Sequence, residues 1–273
     1  MTRLSADVPR PAAIATDLDG TLLRADGTVS DRTRDAFHAA WDHGLHTVLV
    51  TARPPRWVDR LADLAGSHGT IYCANGAFTY DPNSGTVTEN FGFEPDLLQS
   101  IIQDLSTVDG IAMSAELPSG FWRQAAYPST PPDGQTDEDG GIVAPLEDIT
   151  EVAGKLLARC DRLDPAAFHR RIEELVGDRA ALHVSTSDGL AELAPLGVSK
   201  SEALGRFVRV MEMTASDVWA FGDMPNDIPM LTWAGMGIAV ANAHPDVLAV
   251  ADGVTASNDE DGVAQAIEQV LRG

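Results

Sequence analysis

Both ends of this chain alternate short apolar strands with amphipathic helices, and the strands of the first third close on clusters of small and polar residues. Ala12–Thr16, His46–Val50 and Thr70–Ala74 read as strands, with Asp31–His43 and Pro54–Ala65 as the helices between them. From Ser199 the rhythm resumes: helix Ser199–Met211, strand Asp217–Phe221, helix Asp227–Ala234, strand Gly237–Ala241 and helix Asp261–Leu271. That alternation predicts a parallel sheet with helices on both faces. In open sheets of this kind, ligands bind beyond the carboxyl ends of the strands. The strand-end clusters Asp17-Leu18-Asp19-Gly20-Thr21, Thr51-Ala52-Arg53 and Asn75-Gly76-Ala77 therefore predict one site at one edge.

The middle of the chain breaks the rhythm. Phe78–Tyr80 and Thr86–Asn90 flank Asp81-Pro82-Asn83-Ser84-Gly85, a hairpin signature. A helix near Pro95–Ser106 precedes hairpin-spaced strands at Gly110–Glu116 and Phe121–Ala126. Ser129–Gly141, rich in proline, glycine and acids, reads as an exposed loop. Strand Val152–Ala158, helix Pro165–Val176 and strands Ala180–Thr186 and Leu190–Ala194 follow. This is an α+β insert, which divides the chain into a core of residues 1–82 and 190–273 and a second domain of 83–189.

Composition removes several classes of partner. A formal charge of −22 repels polyphosphate backbones and anionic lipid, so no nucleic acid and no membrane is expected. No apolar run is long enough for a membrane span, and polar Met1–Pro11 has the look of no secretory signal. Cys73 and Cys160 stand alone and far apart, which predicts a reducing, cytoplasmic setting. Lys155 and Lys200 are the only lysines, so a lysine here is an unusual choice.

Asp17 and Asp19, two apart at a strand end, would emerge together, one carboxylate to attack and one to move protons. Gly20 permits a sharp turn beside a ligand, and Thr21 offers a small hydroxyl. Carboxylates this close repel unless a cation or a shared proton intervenes. Gly222-Asp223-Met224-Pro225-Asn226-Asp227 places further acids at a strand end and opens a helix. Asn226 or Asp227 could equally cap that helix. Asp17, the Asp19 carbonyl and Asp223 supply the hard oxygen ligands that Mg²⁺ prefers. The Thr51 hydroxyl can donate to a phosphoryl oxygen, though a capping role before Pro54 explains it equally well. A lone lysine at a helix start, such as Lys200, is normally just solvated. In a chain with two lysines, its place where the α/β rhythm resumes gives weight to a point charge for phosphate.

In order, Asp17-Leu-Asp-Gly-Thr, Thr51, Gly197-Val-Ser-Lys200 and Gly222-Asp-Met-Pro-Asn-Asp227 resemble the four motifs of the haloacid dehalogenase superfamily. Asn75-Gly76-Ala77, Val240-Ala241-Asn242-Ala243 and Asn258-Asp259-Glu260-Asp261-Gly262 narrow the resemblance to Cof-type, subclass IIB phosphatases. Ala52 departs from the glycine that many relatives carry there. The resemblance implies a Rossmann-like α/β core with an inserted α+β (C2B-type) cap. It further implies Mg²⁺-dependent hydrolysis of small phosphorylated metabolites, sugar phosphates first, through an aspartyl-phosphate on Asp17. Asp19 would serve as acid and base, and Thr51 and Lys200 would hold the transferring oxygens. Asp17, Asp19 and Asp223 would bind the metal with Asp227 supporting them from behind, while Gly20, Ala52, Arg53, Asn75, Gly76 and Asn226 would line the substrate. Specificity would lie in cap residues such as Glu116, Trp122 and Arg123. The expected assembly is a monomer or a weak homo-oligomer.

Other readings are weaker. Ser257-x-Asp259-x-Asp261-Gly262-x₅-Glu268 follows the calcium-loop template except at its first ligand, and no helix pattern precedes it. Gly235-Met236-Gly237 follows a helix and precedes a strand, the reverse of a dinucleotide fingerprint. His38, His43 and His46 lack metal-binding spacing. A phosphomutase on the same scaffold would need cap cations, for which Arg123, Arg159, Arg162, Arg170, Arg171 and Arg179 are available. A non-catalytic binding module would be expected to have lost a carboxylate or Lys200, and none is missing.

Overall fold

Four central strands of this chain are buried along nearly their whole length, as a parallel sheet covered on both faces requires. The computed structural model describes residues 10–66, 69–128, 141–183 and 189–272. The expected loop Ser129–Gly141, apart from Gly141, lies outside those residues, as do Met1–Pro9 and the end of the expected strand Ala180–Thr186. Eight strands form the larger sheet, in the order Gly253–Val254, Met236–Ala239, Val218–Gly222, Ala13–Thr16, His46–Val50, Ile71–Cys73, Phe78–Asp81 and Thr86–Asn90. The first six run parallel and the last two add an antiparallel hairpin. Gly253–Val254 was not foreseen, because two residues carry no readable period.

Six more strands form a smaller sheet: Ala181–His183, Ala191–Ala194, Lys155–Cys160, Ile111–Leu117, Gly120–Arg123 and Ile142–Val143. Helices Pro95–Leu105 and Pro165–Val176 cover one face, packing Leu98, Ile101, Phe168 and Ile172 against Met113, Leu156 and Leu193. Side chains alternate along a strand, so Glu116, Lys155 and Glu192 occupy the opposite face. That face meets the larger sheet: Arg56 Nη1 donates to Glu116 Oε2 at 2.5 Å.

The apolar residues divide at different places from those the sequence suggested. The expected break at 82/83 falls inside the hairpin, and both of its strands belong to the larger sheet. The smaller core begins at Phe93 and ends at Leu193, past the expected break at 189/190. Ala194 already packs with the larger core.

The expected helix Pro54–Ala65 is two 3₁₀ segments, Pro55–Trp57 and Asp59–Leu64. Its amides bond three residues back, Val58 N–H to the Pro55 carbonyl, Leu61 to Val58 and Ala65 to Ala62, while the burial of Pro54, Val58, Leu61 and Ala65 would suit an α-helix equally. The calcium-like loop is occupied by protein contacts. The Asp261 carboxylate accepts both Arg24 Nε and Nη2, and Asp259 accepts the amide of Ala25.

Candidate active site

Neighbouring parallel strands deliver the expected residues to one edge. Asp17 follows the central strand Ala13–Thr16, and its amide donates to Phe221 O at 3.0 Å, so the register continues one residue past the strand. Asp223 follows Val218–Gly222 on one side, and Thr51 follows His46–Val50 on the other. Asn75 follows Ile71–Cys73, one strand further. Lys200 arrives differently, as the first residue of helix Lys200–Val210, whose start is fixed by Ser199 accepting the amide of Glu202.

Asp17 and Asp19 do not emerge side by side as expected. The strand stops at Thr16, and Leu18–Leu22 curls into a turn that buries Leu18 and Leu22. The Asp17 side chain is consequently only 7% exposed and the Asp19 side chain 54%. Within the turn, Gly20 has φ +71°, and a Cβ there would come within 2.3 Å of Asp223 Oδ2. No larger residue fits this approach without moving a carboxylate.

Lys200 Nζ lies 2.6 Å from Asp17 Oδ1 and 2.7 Å from Asp227 Oδ1. Asp227 Oδ2 accepts the amides of Asp223 and Met224, both at 3.0 Å. Asp227 thus braces Lys200 with one oxygen and its own loop with the other. Asp223 Oδ1 accepts from Thr21 Oγ1 at 2.9 Å. Oxygens of Asp17, Asp223 and Asp227 lie within 4.8 Å of one another, all on buried residues. Ionised, these three carry three negative charges against one ammonium. A divalent cation with hard oxygen preference fits that surplus, with Asp17 and Asp223 the better-placed ligands because Asp227 is already engaged.

Burial, followed by the charge of Asp227, raises the Asp223 carboxyl from 3.8 to about 7. Burial also holds Asp17 well above its ordinary value, against the pull of Lys200 and with help from Asp227, Asp223 and Asp19. A carboxyl raised on folding contributes stability below its unfolded value, and that contribution is lost as pH rises through the folded value. Without metal, the protein should therefore lose stability as pH climbs from 3.8 through about 7. A cation requires the ionised forms and relieves their repulsion. Adding MgCl₂ should raise Tm more at about pH 8 than at about pH 6. Equal gains at both values in thermal melts would contradict this.

The other predicted residues surround this centre. Arg53 grips Asp19 with Nε at 2.7 Å and Nη2 at 2.5 Å, while its Nη1 is buried without a partner. Thr51 Oγ1 accepts the Arg53 amide at 3.0 Å. Asn75 is buried in the left-handed region at φ 56°, and its Oδ1 accepts from Asn226 Nδ2 at 3.3 Å. The carbonyl of Gly76 accepts Arg206 Nη2, and that of Gly20 accepts Asn242 Nδ2. Of the three cap residues singled out, Glu116 pairs with Arg56, Trp122 packs on the smaller core, and Arg123 donates to the Tyr127 carbonyl.

Sequence reasoning missed Lys155, Glu192, Arg206 and Asn242. Lys155 Nζ donates to the Ala52 carbonyl at 2.8 Å and to Glu192 Oε2 at 2.7 Å. The scarcity of lysine was a usable signal for Lys155. Asn242 lay in the string Val240-Ala241-Asn242-Ala243 with no role attached to it, and nothing local marked Glu192 or Arg206, whose partners are far away in sequence.

Residues 14–267 match the haloacid dehalogenase-like hydrolase family. The 5-amino-6-(5-phospho-D-ribitylamino)uracil phosphatase YcsE of Bacillus subtilis is 30% identical over 254 residues, which are 93% of either chain. The pyridoxal phosphate phosphatase YbhA of Escherichia coli is 28% identical, over 93% of this chain and 96% of its own. Among solved structures, a haloacid dehalogenase-like hydrolase from Bacteroides thetaiotaomicron superposes with a TM-score of 0.76 at 26% identity, covering 94% of this chain and 98% of its own. Family match, full-length relatives and shared fold lead to one conclusion: the chain belongs to the haloacid dehalogenase-like hydrolases, as a hydrolase of phosphoric monoesters.

Proposed function

We propose that this enzyme is a Mg²⁺-dependent phosphatase of small phosphorylated metabolites, sugar phosphates first, that works through a phosphoryl group carried on Asp17. The observation that carries this reading is the difference between the two acids of the first motif. Asp17 is buried against Lys200, whereas Asp19 stands at the mouth, two residues on. A buried, cation-braced carboxylate suits a nucleophile, and an accessible one suits proton exchange with a leaving group and then with water.

In the first half-reaction Asp17 attacks phosphorus in line with the leaving oxygen, to which Asp19 delivers a proton. In the second, Asp19 takes a proton from water as the water attacks the aspartyl-phosphate and regenerates Asp17. Thr51 and Lys200 hold the phosphoryl oxygens throughout. Asp19 must leave Arg53 to reach the substrate, and the freed guanidinium then faces the same anionic group. Mg²⁺, held by Asp17, Asp223 and the Asp19 carbonyl, would offset the negative charge gathered around the phosphoryl group.

The smaller sheet acts as a cap that excludes water from the strand ends, a reading supported by the Arg56–Glu116 pair across the two layers. The cytoplasm is the proposed setting, since Cys73 and Cys160 are both free thiols. No helix among the described residues is long and apolar enough to cross a membrane. A monomer or weak homo-oligomer suffices, because one chain supplies every group named.

The proton-transfer role is tested by Asp19→Asn. This variant should slow hydrolysis of an alkyl sugar phosphate by about 10²–10⁴-fold. The loss should be smaller for p-nitrophenyl phosphate, whose leaving group needs little protonation. Equal losses in kcat/KM on both substrates would remove Asp19 from that role.

A further inference from the structure

The chain spends both of its lysines in buried positions, and the mechanism uses only Lys200. Lys155 opens a strand of the smaller sheet, with its side chain 7% exposed, and reaches across to the larger one. There it donates to the carbonyl of Ala52, the residue between Thr51 and Arg53. Three consecutive carbonyls of this loop are anchored. That of Thr51 accepts the Asn75 amide and that of Arg53 accepts the Ala74 amide, both at 2.8 Å. The middle one takes Lys155.

The Ala52 carbonyl and the Arg53 amide belong to one planar peptide unit, so fixing one end fixes the other. The Arg53 N–H points at Thr51 Oγ1, 3.0 Å away. With a lone pair occupied by that amide, the Thr51 hydroxyl is left to direct its own proton elsewhere. Lys155 therefore sets the Thr51 hydroxyl without touching it. Its charge is balanced by Glu192, 2% exposed, whose Oε2 also accepts Asn75 Nδ2 at 3.4 Å. Asn75 in turn accepts from Asn226. One ion pair from the smaller sheet thus ties together the loops that follow three strands of the larger.

We propose that the Lys155–Glu192 pair is a positioning element for catalysis: by holding the Ala52–Arg53 peptide it aims the Thr51 hydroxyl at the transferring phosphoryl group. The inference rests on the reading of Thr51 as a phosphoryl-holding residue. It adds a functional contribution from the smaller sheet that is separate from substrate choice.

The test is kinetic, with p-nitrophenyl phosphate and Mg²⁺. Lys155→Met should lower kcat by about 10- to 100-fold while KM moves much less. In a Thr51→Val background the same change should lower kcat by less than about twofold, because the hydroxyl it aims is gone. A purely structural lysine would cost the same in both backgrounds. Lys155→Met leaves Glu192 buried and unpaired, so Lys155→Met with Glu192→Gln, read against the wild-type pair in both Thr51 backgrounds, repeats the comparison with no unpaired buried charge on either side. Unchanged kcat in Lys155→Met, or equal losses in the two backgrounds, would overturn the proposal. Failure of the underlying reading has a different signature: Thr51→Val itself would leave kcat unchanged, and the proposal would fall with it.

Discussion

Replacing Asp17 by Asn should reduce phosphate release by about four orders of magnitude or more while leaving the fold intact. Asparagine has the shape of aspartate but no anionic oxygen, so it cannot carry a phosphoryl group. The structural consequence is small for a buried site. Lys200 loses one charged partner, yet it keeps Asp227 at 2.7 Å. The carboxylate surplus around it falls from three against one to two against one, which lessens repulsion in the metal-free protein. Thermal melts should therefore show a Tm equal to or above that of the wild type at about pH 8, where the native acids are most crowded. Mass spectrometry of the quenched wild-type enzyme should find one added phosphoryl group, absent from the variant. A variant that turns over within about tenfold of the wild type would remove Asp17 as nucleophile.

The layout of the site was legible because the strands that carry it are contiguous in the sheet and buried on both faces. Such strands read as apolar runs, and the residues just after them inherit a fixed place at the sheet edge. Asp17, Thr51, Asn75 and Asp223 follow this logic. Depth was not legible. Strand alternation predicts that Asp17 and Asp19 point together, but the turn Leu18–Leu22 begins between them and sends Asp19 outward to Arg53. The 3₁₀ character of Asp59–Leu64 was not legible, because the apolar spacing of Pro54, Val58, Leu61 and Ala65 suits an α-helix as well. The boundary of the second layer was misplaced for another reason. A hairpin can end one sheet or begin the next, and local turn chemistry does not distinguish the two. Lys155, Glu192, Arg206 and Asn242 hold site carbonyls and amides over long sequence separations, and only the tertiary fold brings them there.

Lys200→Met should both inactivate and destabilise the protein, with a loss of about 3–5 kcal/mol in the absence of metal. The side chain is 2% exposed and lies between two carboxylates, so its removal leaves buried anions without a counter-charge. The pH dependence of the deficit follows from which groups titrate. The charges of Asp17 and Asp227 hold Lys200 above its ordinary 10.5 despite burial, so it stays protonated from about pH 5 to about pH 8 and contributes no slope there. Asp17 already sits well above 3.8, and Lys200 is the chief influence lowering it. Without that ammonium its carboxyl rises further, and mild acid then neutralises it. The Tm deficit of Lys200→Met against wild type should accordingly shrink between about pH 8 and about pH 5. Mg²⁺ can replace the missing charge but not the donor to the phosphoryl oxygen, so it should restore part of the Tm while kcat stays down by about 10²–10³-fold. A deficit that stays constant or grows in acid would mean that the buried anions are not what Lys200 stabilises.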